Sequence, residues 1–180
     1  MTLSVYLMGS LQNPMIPAVA DLLRNDGYDV FDDWFSGGPE VDECWQQYEK
    51  HRGRSYAEAL AGYHAENAFN FDLYHIKRCD LAVMLMPCGR SAHLELGFFR
   101  GLGKPGIICL PEEPERYDLM YKFANAVVIG TDELMKEVRK YDKMQPTVSG
   151  LGSTRTGSEV GGTERTSRSH HSVSYPFRGF

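Results

Sequence analysis

The 180-residue chain is 42% hydrophobic and 24% charged, with a net charge of −5, a length and composition that suit one domain with a proper core. The acidic balance argues against a protein that grips a nucleic-acid backbone, which is normally basic. No apolar run in the chain approaches the roughly 20 residues of a membrane span.

The first expected strand is Leu3 to Met8, closed by Gly9-Ser10. The amino end lacks a basic segment ahead of it, so a signal peptide is not expected. A helix over about Met15 to Asn25 follows, with Val19, Leu22 and Leu23 on one face, and Gly27 ends it before a strand at Tyr28 to Phe31. Residues 32–55 read as an irregular insertion carrying Gly37-Gly38-Pro39, both tryptophans (Trp34, Trp45) and several acids. The stretch from about Tyr56 to Ile76 reads as one helix. Strands at Asp80 to Met86 and Gly106 to Leu110 flank a helix that contains Glu95. A fifth strand, Ala126 to Ile129, leads into a last helix from Asp132 to about Tyr141. Such alternation with short connections predicts an α/β, flavodoxin-like sheet of five parallel strands with helices on both faces. The folded body is expected over 1–145. From 146 onward Gly, Ser and Thr dominate and predict a flexible arm, whose end, Tyr175-Pro176-Phe177-Arg178-Gly179-Phe180, carries three aromatics.

Ligands of open parallel sheets bind beyond the carboxyl ends of the strands, which is where the run Gly89-Arg90-Ser91-Ala92-His93-Leu94-Glu95 falls. Glu95 stands alone as an acid in an apolar helix, flanked by Leu94, Leu96, Phe98 and Phe99, and reads as a site residue; an exposed helix glutamate is the competing reading. Gly9 permits close backbone approach and Ser10 can donate to a ligand oxygen. Asp72, beside Phe69, Phe71 and Tyr74, reads as an acid whose proton affinity rises in aromatic company, suiting proton transfer, against a solvated helix acid. Gly89, Arg90 and Ser91 can receive an anion, against ordinary capping with Ser91 as the N-cap. His75, Cys79, Cys88 and His93 match no zinc spacing, so no metal is expected. Neither a GxGxxG fingerprint, a Walker A loop nor a G-x-S-x-G elbow occurs. Cys44, Cys79, Cys88 and Cys109 form no CxxC pair, and a reducing, cytoplasmic setting is expected.

Tyr6-Leu7-Met8-Gly9-Ser10, Asp72 before a core strand, and Glu95-Leu96-Gly97-Phe98 followed by Gly103-Lys104-Pro105 resemble the nucleoside 2-deoxyribosyltransferase family and its nucleotide N-glycosidase relatives. The resemblance spans roughly residues 3 to 140, outside the insertion. It implies a flavodoxin-like fold and a double displacement at an anomeric carbon. Glu95 would be the nucleophile on C1′, Asp72 would manage the proton of the departing base, and Tyr6 would orient the glutamate. It also implies a homo-oligomer with shared sites, in which Asp118 and Met120, in a segment similar to the family's Asn-Leu-Met, are supplied across the interface. No cofactor is expected. The partner is a small nucleoside or nucleotide, with no nucleic acid polymer and no membrane.

One departure bears on the substrate. Family transferases carry an acid shortly before the nucleophile's helix to bind sugar hydroxyls, whereas here the stretch is Cys88-Gly89-Arg90-Ser91. A cation there favours a 5′-monophosphate over a 5′-hydroxyl. Two other functions stay open at this level: a non-catalytic nucleotide-sensing module and a TIR-like enzyme acting on NAD. Fold alone does not separate them.

Overall fold

The computed structural model describes residues 2–144; the expected arm from 146 and its aromatic end lie outside the described residues. Five parallel strands form one sheet in the order β2-β1-β3-β4-β5: β1 Ser4–Met8, β2 Asp29–Phe31, β3 Leu81–Leu85, β4 Gly106–Leu110 and β5 Ala126–Ile129. This is the doubly wound, flavodoxin-like α/β fold that the alternation predicts. The residues of β1, β3 and β4 are buried throughout. Strands covered on both faces need apolar side chains at every position, which is why they read as continuous hydrophobic runs.

The pleat sorts those residues into two cores. Leu3, just before β1, and Val5 and Leu7 within it share one face with Leu81, Val83 and Leu85. That face is covered by α1 (Met15–Asn25) and α6 (Gly130–Met144), through Ile16, Val19, Ala20 and Leu23 and through Leu134 and Val138. Leu22, expected on the buried face of α1, is instead 44% exposed, because the i, i+3, i+4, i+7 stripe starts at Ile16. Tyr6, Met8, Ala82, Met84 and Ile108 point to the other face. There the covering helices are α4 (Tyr63–Arg78) and α5 (Arg90–Gly101).

Two expectations are corrected. Residues 32–55 are not irregular: a 3-10 turn at Asp33–Gly37 is followed by α2, Val41–His51. α2 escaped notice because the only residue it fully buries is a charged one, Glu49, held by Arg54 Nη1 at 3.1 Å. It carries acids in its first turn (Asp42, Glu43) and bases in its last (Lys50, His51), the arrangement its dipole favours. The stretch from Tyr56 to Ile76 is two helices, α3 (Tyr56–Leu60) and α4. Ser55 and Glu58 close a capping box at the start of α3. The chain breaks at Gly62, where a Cβ would meet the Ala59 carbonyl at 3.0 Å and the Arg54 guanidinium at 2.9 Å.

Lys104, in the turn before β4, secures the end of α4. Its ammonium donates to the carbonyls of Cys79 (2.7 Å), Ile76 (3.4 Å) and Lys77, oxygens a helix end leaves without partners. Lys104→Met keeps the stem and removes the charge. It is expected to lower stability by about 1.5–3 kcal/mol, seen as a lower urea midpoint with an unchanged m-value.

Candidate active site

Strand order reverses at β1, which lies between β2 and β3, so a crevice opens where the chain leaves β1 and β3. Local ties shape its rim. Asn13, buried at the start of α1, donates from Nδ2 to the Pro87 carbonyl (3.3 Å) and accepts at Oδ1 from Met15 N–H (3.0 Å), joining the loop after β1 to the loop after β3. The Trp34 indole donates to the Leu7 carbonyl at 2.8 Å.

Three polar side chains enter the layer between the sheet and α4 and α5. Tyr6 comes from the middle of β1 and is 1% exposed. Its register partner on β3 is the small Ala82. Glu95 lies on the inward stripe of α5: Ala92, Leu96 and Phe99 are buried, and 92, 95, 96 and 99 are the i, i+3, i+4, i+7 positions. Asp72 stands one turn before the buried Ile76 of α4. The aromatics adjacent to Asp72 in sequence do not surround it, since Phe69, Phe71 and Tyr74 are 63%, 47% and 64% exposed. Its company is Tyr6, from across the layer.

These groups act on one another. Burial, and then the charge of Asp72, push Glu95 up to about 7, against a lowering hydrogen bond from the Tyr6 hydroxyl. Burial raises Asp72 to about 6, again opposed by Tyr6. The phenol itself is held far above its ordinary range by burial and by the two carboxylates, so it stays protonated and donates. The phenol favours the charged form of both carboxyls, and Oδ1 of Asp72 is buried without a hydrogen-bond partner. The pair therefore titrates as a unit near neutrality, with one carboxyl able to be ionised while the other holds a proton. Cys88 is near enough for Glu95 to raise its thiol, together with burial, to about 11.

The other residues singled out in the sequence fall around this cluster or away from it. Gly9 is needed, but for packing: a Cβ there would lie 2.4 Å from Cδ1 of Ile16, so the close approach is that of α1. The Ser10 hydroxyl accepts from Gln12 N–H (3.2 Å), leaving its own proton to give. Gly89, not Ser91, is the N-cap of α5 and makes no side-chain capping bond. Arg90 and Ser91 are exposed in the first turn. Among the described residues no ion pair involves Arg90. Asp118 caps the 3-10 turn Leu119–Phe123 by accepting from Met120 N–H (2.9 Å). Neither Asp118 nor Met120 is among the groups acting on Tyr6, Asp72 or Glu95. A groove of about 720 Å³ runs beside β5, lined by Leu110, Tyr117, Asp118, Leu119, Val127 and Ile129 among others, and includes none of Tyr6, Asp72 and Glu95. Its lining mixes apolar side chains with Glu113, Asp118 and Lys122. No group of His, Cys, Asp and Glu suited to a metal ion is found among the described residues.

Neither a family model nor a curated protein matches the chain. Among solved structures the chain is similar to the CMP N-glycosidase BcmB of Clostridium botulinum, at 19% identity over 76% of this chain and 98% of that one, with a TM-score of 0.45.

Because the charge of Asp72 raises Glu95, Asp72→Asn is expected to move the titration of Glu95 down from about 7, toward the ordinary carboxyl range near about 4.3. Tyr6→Phe, which removes a stabilising donor, is expected to move it up. Carboxyl 13C shifts followed against pH in labelled protein measure both; equal midpoints in the three proteins would show that the groups do not interact.

Proposed function

We propose that the chain breaks the N-glycosidic bond of 2′-deoxynucleosides or their 5′-monophosphates, releasing the base to water or exchanging it for a second base. The observation that carries this reading is the convergence of Glu95, Asp72 and Tyr6 in one buried layer at the switch point of the sheet, on the residues through which the sequence resembles deoxyribosyltransferases.

In the first displacement the ionised Glu95 attacks C1′ as the bond to the base nitrogen breaks. The bonding pair leaves with the base, and Asp72 supplies the proton that neutralises it, from the minor form of the coupled pair in which Asp72 rather than Glu95 is protonated. The transition state carries oxocarbenium charge, which a desolvated carboxylate stabilises before capturing it as a glycosyl ester. Tyr6 fixes the glutamate while holding its own proton. In the second displacement water or another base attacks C1′ from the vacated face, gives up a proton to Asp72, and expels Glu95. Two inversions return the original configuration.

Arg90, Gly89 and Ser91 supply the receptor for a 5′-phosphate: free amides at the start of a 12-residue helix, no acid in its first turn, and an exposed guanidinium. The assembly we propose is a homo-oligomer, supported by the row of Leu94 and Phe98 on α5 and Leu102 at its C-cap, 75%, 44% and 44% exposed, at i, i+4 and i+8 beside Glu95. In such an assembly Asp118 and Met120 reach a neighbouring copy's site.

The test is chromatography of released and exchanged base from the four 2′-deoxynucleosides and their 5′-monophosphates. Glu95→Ala is expected to abolish turnover with fold and assembly intact, and substantial residual activity would sink the nucleophile's assignment. Wild-type activity is expected to fall as pH drops through about 7, where Glu95 takes up its proton. Arg90→Ala is expected to raise KM for monophosphates about 10- to 100-fold, the loss of one charge-assisted contact, and to leave nucleosides unaffected. Phe98→Glu is expected to shift the protein to a smaller species in size-exclusion chromatography.

A further inference from the structure

His75 lies one helical turn beyond Asp72 on α4, and its imidazole is set between two rigid partners. It stacks flat on Phe31 at the carboxyl end of β2, with ring centroids 3.6 Å apart and an interplanar angle of 6°. Phe31, 1% exposed, packs on Tyr6 with centroids 5.1 Å apart. The rings of Phe71 and Tyr74 meet the imidazole edge-on. On its rim Arg78 Nε–H donates to His75 Nδ1 at 2.8 Å, while Nη1 of the same guanidinium donates to Asp29 Oδ2 at 2.9 Å. One imidazole thus touches the ring that seats Tyr6 and belongs to the helical turn that carries Asp72.

We propose that His75 is a positioning residue: its neutral imidazole, clamped between Phe31 and Arg78, holds the Asp72 turn of α4 in register with Tyr6. The claim rests on the glycosidic reading for its kinetic consequence and on geometry alone for its structural one. An imidazole suits the position because it supplies a flat face for Phe31 and a lone pair for Arg78 together. Accepting at Nδ1 puts the single ring proton on Nε2. A second proton would set N–H against N–H beside a guanidinium. The charged groups facing the ring are Arg78 on α4, Asp29 on β2 and Asp33 in the turn after it; burial and Arg78 lower its proton affinity, and the two acids oppose them. The neutral form is therefore favoured in the fold. The clamp is whole above the ordinary imidazole range near about 6.5 and is lost as pH falls further, through the lowered value of the folded imidazole.

The experiment compares full-length wild type with His75→Ala and His75→Phe, using the carboxyl 13C titration of Asp72, thermal melting, and base-release kinetics. In His75→Ala the midpoint of Asp72 is expected to fall from about 6 toward about 3.9 as the turn loosens and water enters. The expected kinetic effect is a drop in kcat of about tenfold or more, with KM changed by less than about twofold. His75→Phe keeps the stack but loses the acceptor for Arg78, and is expected to bring the Asp72 midpoint and kcat part of the way back. An unchanged Asp72 midpoint in His75→Ala overturns the proposal, as does a His75→Phe protein as impaired as His75→Ala. If His75→Ala does not fold, Arg78→Met, which removes the rim hydrogen bond, is expected to lower the Asp72 midpoint in the same direction, and no change there overturns the proposal. If wild type releases no base, the glycosidic reading fails, and the Asp72 titration still decides the role of His75.

Discussion

Two carboxyl groups and one phenol share a volume from which water is largely excluded, and the phenol acts on both carboxyls. Burial alone would drive both carboxyls neutral, while the phenol favours the charged form of each. Neither influence wins outright, so both acids titrate near neutrality. The rest of the structure serves to keep those three groups in that balance. An exposed Glu95 would return to an ordinary carboxyl, and without Tyr6 the buried pair would lose the donor that keeps either one ionised.

The sheet supplies the rigidity this needs. Tyr6 sits in the middle of β1, paired with strands on both sides, so its ring moves only if the sheet does. Asp72 and Glu95 come from separate helices, and the distance between those helices is set by the side chains that share their layer. Lys104 ties the turn before β4 to the end of α4. Phe31 and His75 fill the gap on the β2 side. The positions of the two acids therefore depend on packing that spans the whole face of the sheet and not on the helices separately.

Much of this was legible in the chain and some was not, for physical reasons. The fully buried strands β1, β3 and β4 announce themselves as apolar runs, and all five strands fall within a residue or two of where the alternation predicts them. The inward placing of Glu95 is legible because an acid on an apolar helical stripe is out of place. The aromatic company expected for Asp72 is not what acts on it: Phe69, Phe71 and Tyr74 are exposed, and the ring beside its carboxyl is Tyr6 of β1. The contacts that Phe31, His75, Trp34 and Asn13 make around this layer are not legible, since each is made to a partner that only the tertiary fold brings near. α2 hid because a helix that buries a paired glutamate leaves no apolar stripe to read, although the acids at its start and bases at its end were a usable signal. The break at Gly62 and the Ser55–Glu58 capping box were also readable, but the apolar content of the flanking helices obscured them.

At the amino edge of the sheet, Asp80 Oδ2 accepts from the Ser4 amide (3.0 Å) and hydroxyl (2.6 Å), and Ser4 Oγ accepts from the Asp80 amide (3.1 Å). This closed exchange staples β1 to β3 at the end opposite the carboxylates. The two ends of the sheet thus have different tolerances to change. Loops at the stapled end are scaffolding, and alterations there are paid for in folding. Loops at the other end hang from strands already fixed in register, so they can be lengthened, recharged or exchanged without disturbing the central pair. A lineage built on this frame can remodel the loops at the carboxyl end while leaving Tyr6, Asp72 and Glu95 where they are.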